Sequence, residues 1–115
     1  MNHVATQSNG PSTLREEAQL SRNVKLAVRE YGQEHPDVAA SLVELGDFYF
    51  SAERFVDSSE AFKKAVDIYE ALGEGHQLLV AMAMRSLSSS LLLQGKYAEG
   101  VTLNENAREL IRSYQ

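Results

Sequence analysis

Apolar residues recur with helical spacing along most of the chain. Leu20, Val24, Ala27, Val28 and Tyr31 are four, three, one and three positions apart, which places them on one face of an α-helix. Thr13 followed by Glu16 makes a capping box, so this helix is expected to begin at Ser12 or Thr13, with Pro11 just outside and Gly32 closing it. The densest apolar stretch runs from Leu42 to Leu72. It divides at the polar pair Glu53-Arg54 into two apolar-faced helices, one from Asp37 to about Ala52 and one from Phe55 to Leu72. Proline and aspartate in His35-Pro36-Asp37 suit a first helical turn. After the loop Gly73-Glu74-Gly75-His76, two further helices are expected over about Leu78–Leu93 and Tyr97–Tyr114, joined by Gln94-Gly95-Lys96. Nothing alternates with period two over the length of a strand, so the expected class is all-α. Residues 1–12 have no periodicity and contain the breaker Asn9-Gly10-Pro11; a flexible tail is expected there.

The helices repeat. Shifted by 42 positions, Val38, Ala39, Leu42, Leu45, Gly46, Tyr49, Phe55, Ser58 and Ala65 fall on Val80, Ala81, Met84, Leu87, Ser88, Leu91, Tyr97, Gly100 and Ala107. Shifted by 41, Leu20, Val24, Ala27, Val28, Tyr31, Gly32 and His35 fall on Ala61, Ala65, Ile68, Tyr69, Leu72, Gly73 and His76. The first helix is thus the second half of a partial repeat, and two full helix pairs follow. The spacing Leu42, Leu45, Gly46, Tyr49, Phe62, Ala65 resembles the tetratricopeptide repeat. The usual period of that family is ~34 residues. The longer period here, with Gly-x-x-His-Pro-Asp-Val-Ala from Gly32 to Ala39, looks like the kinesin-light-chain type. The resemblance implies a right-handed α-solenoid of antiparallel helix pairs over residues 13–115. Residues 13–32 are the second helix of a partial repeat, 37–73 the first full repeat and 78–114 the second. Gln77-Leu78 departs from the motif where Pro36-Asp37 keeps it. Asn104 stands where Phe62 stands in the other pair, so the last pair is expected to pack less tightly or to end the array.

The net charge of −5 is unevenly placed. Residues 1–36 carry four basic and four acidic groups, residues 37–72 three and eight, and residues 73–115 four and four. The whole deficit sits in the central helix pair; a solvated face explains most of it, and a field that favours basic partners is the sharper reading. No basic stripe exists to displace counterions from phosphates, so nucleic acid is not an expected partner. The chain has no cysteine, which excludes disulfides and thiolate metal sites and fits a reducing compartment. No apolar run approaches a membrane span and the opening residues do not form a secretory signal, which leaves the cytoplasm as the expected location.

Candidate chemistry is sparse. His3, His35 and His76 stand far apart without carboxylates or cysteines at ligand spacing, and His35 and His76 occupy equivalent loops as structuring residues. No phosphate-binding glycine loop, zinc-protease motif or nucleophile elbow occurs. Ser86, Ser88, Ser89 and Ser90 lie within a helix with no base beside them and are expected to serve packing. No enzyme, cofactor or metal is expected.

What remains is a surface. The resemblance implies that the first helix of each pair lines a concave groove. Carried over by position, the groove residues are Val43, Glu44, Asp47 and Phe50 from one helix and Arg85, Ser86, Ser89 and Leu92 from the other. Chaperone-binding members hold a terminal carboxylate with lysine and asparagine at such sites. Glu44 and Asp47 disfavour that ligand. The implied function is non-catalytic binding of a peptide or helix from a partner protein, as an adaptor or scaffold. The alternative is an assembly module, in which the last helix, with Leu103, Ala107, Leu110, Ile111 and Tyr114, pairs with another copy or further repeats.

Overall fold

The computed structural model describes residues 11–114. Among them are five helices and no strand: α1 Pro11–Tyr31, α2 Pro36–Ser51, α3 Phe55–Leu72, α4 Gln77–Leu93 and α5 Tyr97–Tyr114. They form an all-α helical repeat, each helix packing mainly on its neighbours in sequence. The expected flexible tail falls largely on residues 1–10, outside the described residues. Pro11 is not outside α1 but within it. Thr13 therefore lies inside the first turn, not at its cap. Helix α2 ends at Ser51 with Ala52 as its cap residue, and α4 starts at Gln77, one residue before the sequence expectation.

The two equivalent loops solve the same problem differently. Gly32 and Gly73 both leave their helices at positive φ, +88° and +76°, a region costly for residues with a Cβ. In the first loop the Asp37 amide donates to His35 Nδ1 at 3.0 Å, and the His35 ring stacks on Tyr31 at 4.2 Å between centroids. His35 is thus the N-cap of α2, with Pro36 following. In the second loop His76 makes no such cap bond; Gln77 Oε1 accepts from the Gly75 amide instead, at 3.0 Å. The residue that departs from the repeat motif takes over part of the work.

The core lies between the helices and draws on α1 to α4, with Ala27, Val38, Leu42, Phe62, Val66, Tyr69, Val80 and Leu87 buried together. Close approach within each pair depends on a glycine, but the glycine changes sides. In the α2/α3 pair it is Gly46: a Cβ there would meet the Phe62 ring at 2.6 Å. In the α4/α5 pair the matching position is Ser88, whose hydroxyl donates to the Gly100 carbonyl at 2.6 Å. Here the glycine is on α5, and a Cβ on Gly100 would meet Leu92 at 2.7 Å. This accounts for Asn104. A side chain at position 88 occupies the space that lets Phe62 lie against α2, so a phenylalanine cannot sit the same way in the second pair.

Hydroxyls join the pairs. Ser58 Oγ and Ser90 Oγ are 2.7 Å apart and fully buried, and Gln94 Nε2 donates to the Phe55 carbonyl at 3.0 Å. Two of the four clustered serines, Ser88 and Ser90, are thus used in packing through their hydroxyls. At the other end, α1 is tied down by Glu17. It accepts from the Tyr49 hydroxyl and from Arg54 Nη1, each at 2.8 Å, and the Arg54 guanidinium lies over the Tyr49 ring at 4.6 Å.

Candidate functional site

The first helices of the two pairs each present one exposed strip at the same register. On α2 it is Asp37, Ala40, Glu44, Asp47 and Ser51; on α4 it is Leu79, Met82, Ser86, Ser89 and Leu93, of which only Ser86 is half-buried. The spacing of three, four, three and four residues keeps each set on one helical face. The strips differ in chemistry. The α2 strip carries three carboxylates, and α2 has no basic residue. The α4 strip carries no charge and leaves Leu79, Met82 and Leu93 at 39%, 55% and 56% exposure.

The residues expected to form the groove separate into two groups. Glu44, Asp47, Arg85 and Ser89 are exposed, and Ser86 is half-buried. Val43, Phe50 and Leu92 are half-buried and engaged within the solenoid. Val43 packs against the core, the Phe50 ring meets Phe55 edge-on at 5.2 Å, and Leu92 fills the space beside Gly100. Two clefts run between α1 and α2, and Glu44 borders both. Asp47, Phe48 and Ser51 line one of them with Glu16 and Leu20; Asp37, Ala40 and Ser41 line the other with Glu30 and Tyr31. Neither includes a residue of α4. Glu44 and Asp47 thus border α1, while Arg85, Ser86 and Ser89 line neither cleft.

The electrostatics follow the packing. Partial burial, with Glu44 one turn away adding repulsion, raises the Asp47 carboxyl above its ordinary range. The hydrogen bond from Arg54 holds the Glu17 carboxyl low, against burial, with the Tyr49 hydroxyl assisting. Burial and the bond to Glu17 together push the Tyr49 phenol up. A third, open groove of about 860 Å³ lies between α3 and α5, floored by Val66, Met84, Leu87, Leu91 and Leu103 and edged by Glu60, Lys63, Lys64, Glu70 and Glu99. Among the described residues no group of three His, Asp or Glu could hold a metal ion, and no helix is long and apolar enough to cross a membrane.

Residues 38–77 match the family model of the tetratricopeptide repeat. The matched span covers α2, α3 and the loop leading into α4, so the first full helix pair is tetratricopeptide-repeat-like in sequence as well as in fold. No curated protein matches the chain. The match suggests a protein–protein interaction module. On that footing the exposed strips are the surfaces of interest, and Leu79, Met82 and Leu93 are their unforeseen members. Their signal was in the sequence: the 42-residue shift places them opposite Asp37, Ala40 and Ser51.

Proposed function

We propose that this chain is a non-catalytic adaptor or scaffold module of the kinesin-light-chain-like kind, with a 42-residue repeat. It receives a peptide or helix of a partner protein across the first helices of its two pairs. The observation that carries this is the pair of register-matched strips, one acidic and one apolar. Apolar side chains of the partner pack on Leu79, Met82 and Leu93, beside Arg85, Ser86 and Ser89. A basic group of the partner turns toward Glu44 and Asp47. Val43, Phe50 and Leu92 back this surface from within. The acidic excess of the central pair disfavours nucleic acid, and the cysteine-free composition suits the cytoplasm.

The test is affinity capture with the purified chain and with Met82→Lys/Leu93→Lys. Loss of an apolar anchor costs about 2 kcal/mol or more of binding, so a partner using the strip is lost from the variant while its helicity is kept. Asp47→Lys is expected to alter the salt dependence of the same complex more than its strength. A partner retained equally by both variants contradicts the reading.

A second reading has one observation in its favour. On α5, Tyr97 and Val101 are 67% and 49% exposed on one helical face, with Tyr114, 58% exposed, on a different side. Leu103 and Leu110 do not contribute to it, because they pack against the core, and Ala107 is fully buried. Pairing of α5 with another copy would appear in light scattering as a dimer that Tyr97→Gln/Val101→Gln dissociates.

A further inference from the structure

The two clefts between α1 and α2 share Glu44 and, taken end to end as one cleft in two halves, have a charge arrangement that the repeat pattern does not require. Five carboxylates border it: Glu16 and Glu30 from α1, and Asp37, Glu44 and Asp47 from α2. No lysine or arginine lines either half, and none of the five is in an ion pair among the described residues. The segregation extends through α1. Its basic residues Arg15, Arg22, Lys25 and Arg29 fall within one narrow arc of the helix, turned away from Glu16, Leu20 and Ala27, which line the cleft. Carboxylates thus flank the cleft on both sides while the neutralising cations sit behind it. Between the walls lie Leu20, Phe48 and Tyr31, the last 48% exposed. Partial burial raises the Asp47 carboxyl, as expected of a charge held at an apolar floor.

We infer that this cleft is a docking site for a basic amphipathic helix of a partner protein. Such a helix lies along α1 and α2, sets an apolar stripe on Leu20, Phe48 and Tyr31, and turns lysines or arginines to both walls. The α1 wall from Thr13 to Tyr31 spans about 27 Å at 1.5 Å per residue, room for about five helical turns. Charge complementarity selects this occupant over others. The ten residues before Pro11 contain no lysine or arginine, so they cannot neutralise the walls. On a second copy, the α1 arc of Arg15, Arg22, Lys25 and Arg29 holds no apolar side chain but Ala18, and α5 sets Arg108 and Arg112 against Glu105 and Glu109, so neither joins an apolar stripe to net positive charge. The cleft extends the proposed binding surface but does not use α4. Met82→Lys breaks the α4 strip and leaves the cleft whole, so failure of one proposal is distinguishable from failure of the other.

The experiment titrates the full chain with a synthetic peptide of about 18 residues, with leucines at helical spacing and lysines flanking them, and follows backbone amide shifts by NMR. Two comparison peptides carry glutamate for lysine, or the same composition with the leucines scattered. The expected result is saturable binding of the first peptide, with shifts confined to α1 and α2. The comparison peptides and the Glu44→Gln/Asp47→Asn chain are expected to bind at least about tenfold more weakly. Glu60→Gln/Glu99→Gln in the α3–α5 groove leaves the affinity unchanged. The inference is overturned if the first peptide does not bind, if its scattered twin binds as well, if the double cleft variant binds as tightly, or if the shifts centre on α3 and α5. It is also overturned if sedimentation shows a dimer whose formation alone produces the α1 and α2 shifts, since a second copy then fills the cleft.

Discussion

At matching places in the two helix pairs, α2 presents Asp37, Ala40, Glu44, Asp47 and Ser51, while α4 presents Leu79, Met82, Ser86, Ser89 and Leu93. The inward faces of the same helices are nearly interchangeable, with Val38, Ala39 and Leu45 against Val80, Ala81 and Leu87. The repeat therefore constrains what each helix buries and leaves its outer strip free to differ. Even inside, equivalence is by volume and not by residue. Gly46 with Phe62 in one pair and Ser88 with Gly100 and Asn104 in the other are two solutions to close helix approach.

The strongest way to break the comparison is a charge at its best-matched buried position. Ala65 and Ala107 are both fully buried. An unpaired buried charge costs about 3–5 kcal/mol, comparable with the whole stability of many small domains. Ala65→Arg is expected to abolish the cooperative melt followed by circular dichroism, because α3 is packed between α2 and α4. Ala107→Arg is expected to free α5 while α1 to α4 stay protected in hydrogen exchange. An unchanged melt for Ala65→Arg would show that the register is wrong.

A smaller effect separates the two close-approach solutions. Gly46→Ala pushes a methyl into the Phe62 ring and is expected to cost about 1–3 kcal/mol, even though alanine is the better helix former. Ser88→Ala at the equivalent place removes a hydrogen bond instead and is expected to cost about 1 kcal/mol in chemical denaturation. A stabilised Gly46→Ala would mean that α2 and α3 can part without cost.

The smallest effects concern charge on the strips. The folded Asp47 carboxyl sits above its ordinary value of 3.8, so its ionisation works against the fold at neutral pH, and the penalty fades as pH falls through the folded value. Asp47→Asn is therefore expected to stabilise the chain by a few tenths of a kcal/mol at pH 7 and to lose that advantage in acid. Glu17 has the opposite sign. Its folded value lies below the ordinary 4.5, so its contribution is complete above 4.5 and is lost as pH falls through the folded value. With Arg54 well exposed, Glu17→Gln should cost no more than about 1 kcal/mol at low salt, seen as faster hydrogen exchange in α1.

Periodicity made the five helices legible, because each buries a stripe at helical spacing; α3 begins and ends, and α5 begins, at the residues it indicates. The helix starts were harder. Thr13–Glu16 imitates a cap, but Pro11 is already helical, and a proline reads equally well just before or just inside a first turn. The surface was half legible. Glu44 and Asp47 could be placed outward, but no single-chain pattern reveals that they border α1, since that depends on how the solenoid stacks. Phe50 and Leu92 were expected at the surface and lie half-buried, because the space beside Phe55 and Gly100 draws them in. The Glu17–Tyr49–Arg54 cluster joins residues up to 37 positions apart and leaves no local signal.

The central claim is that partners are received on the strips of α2 and α4. Site-specific photo-crosslinking tests it most directly, with the reactive group placed in turn at Met82, at Asp47 and at Lys63 on the α3–α5 groove. A captured partner is expected to crosslink from positions 82 and 47 and not from 63. Crosslinking from 63 alone would place recognition on the second helices and contradict the claim.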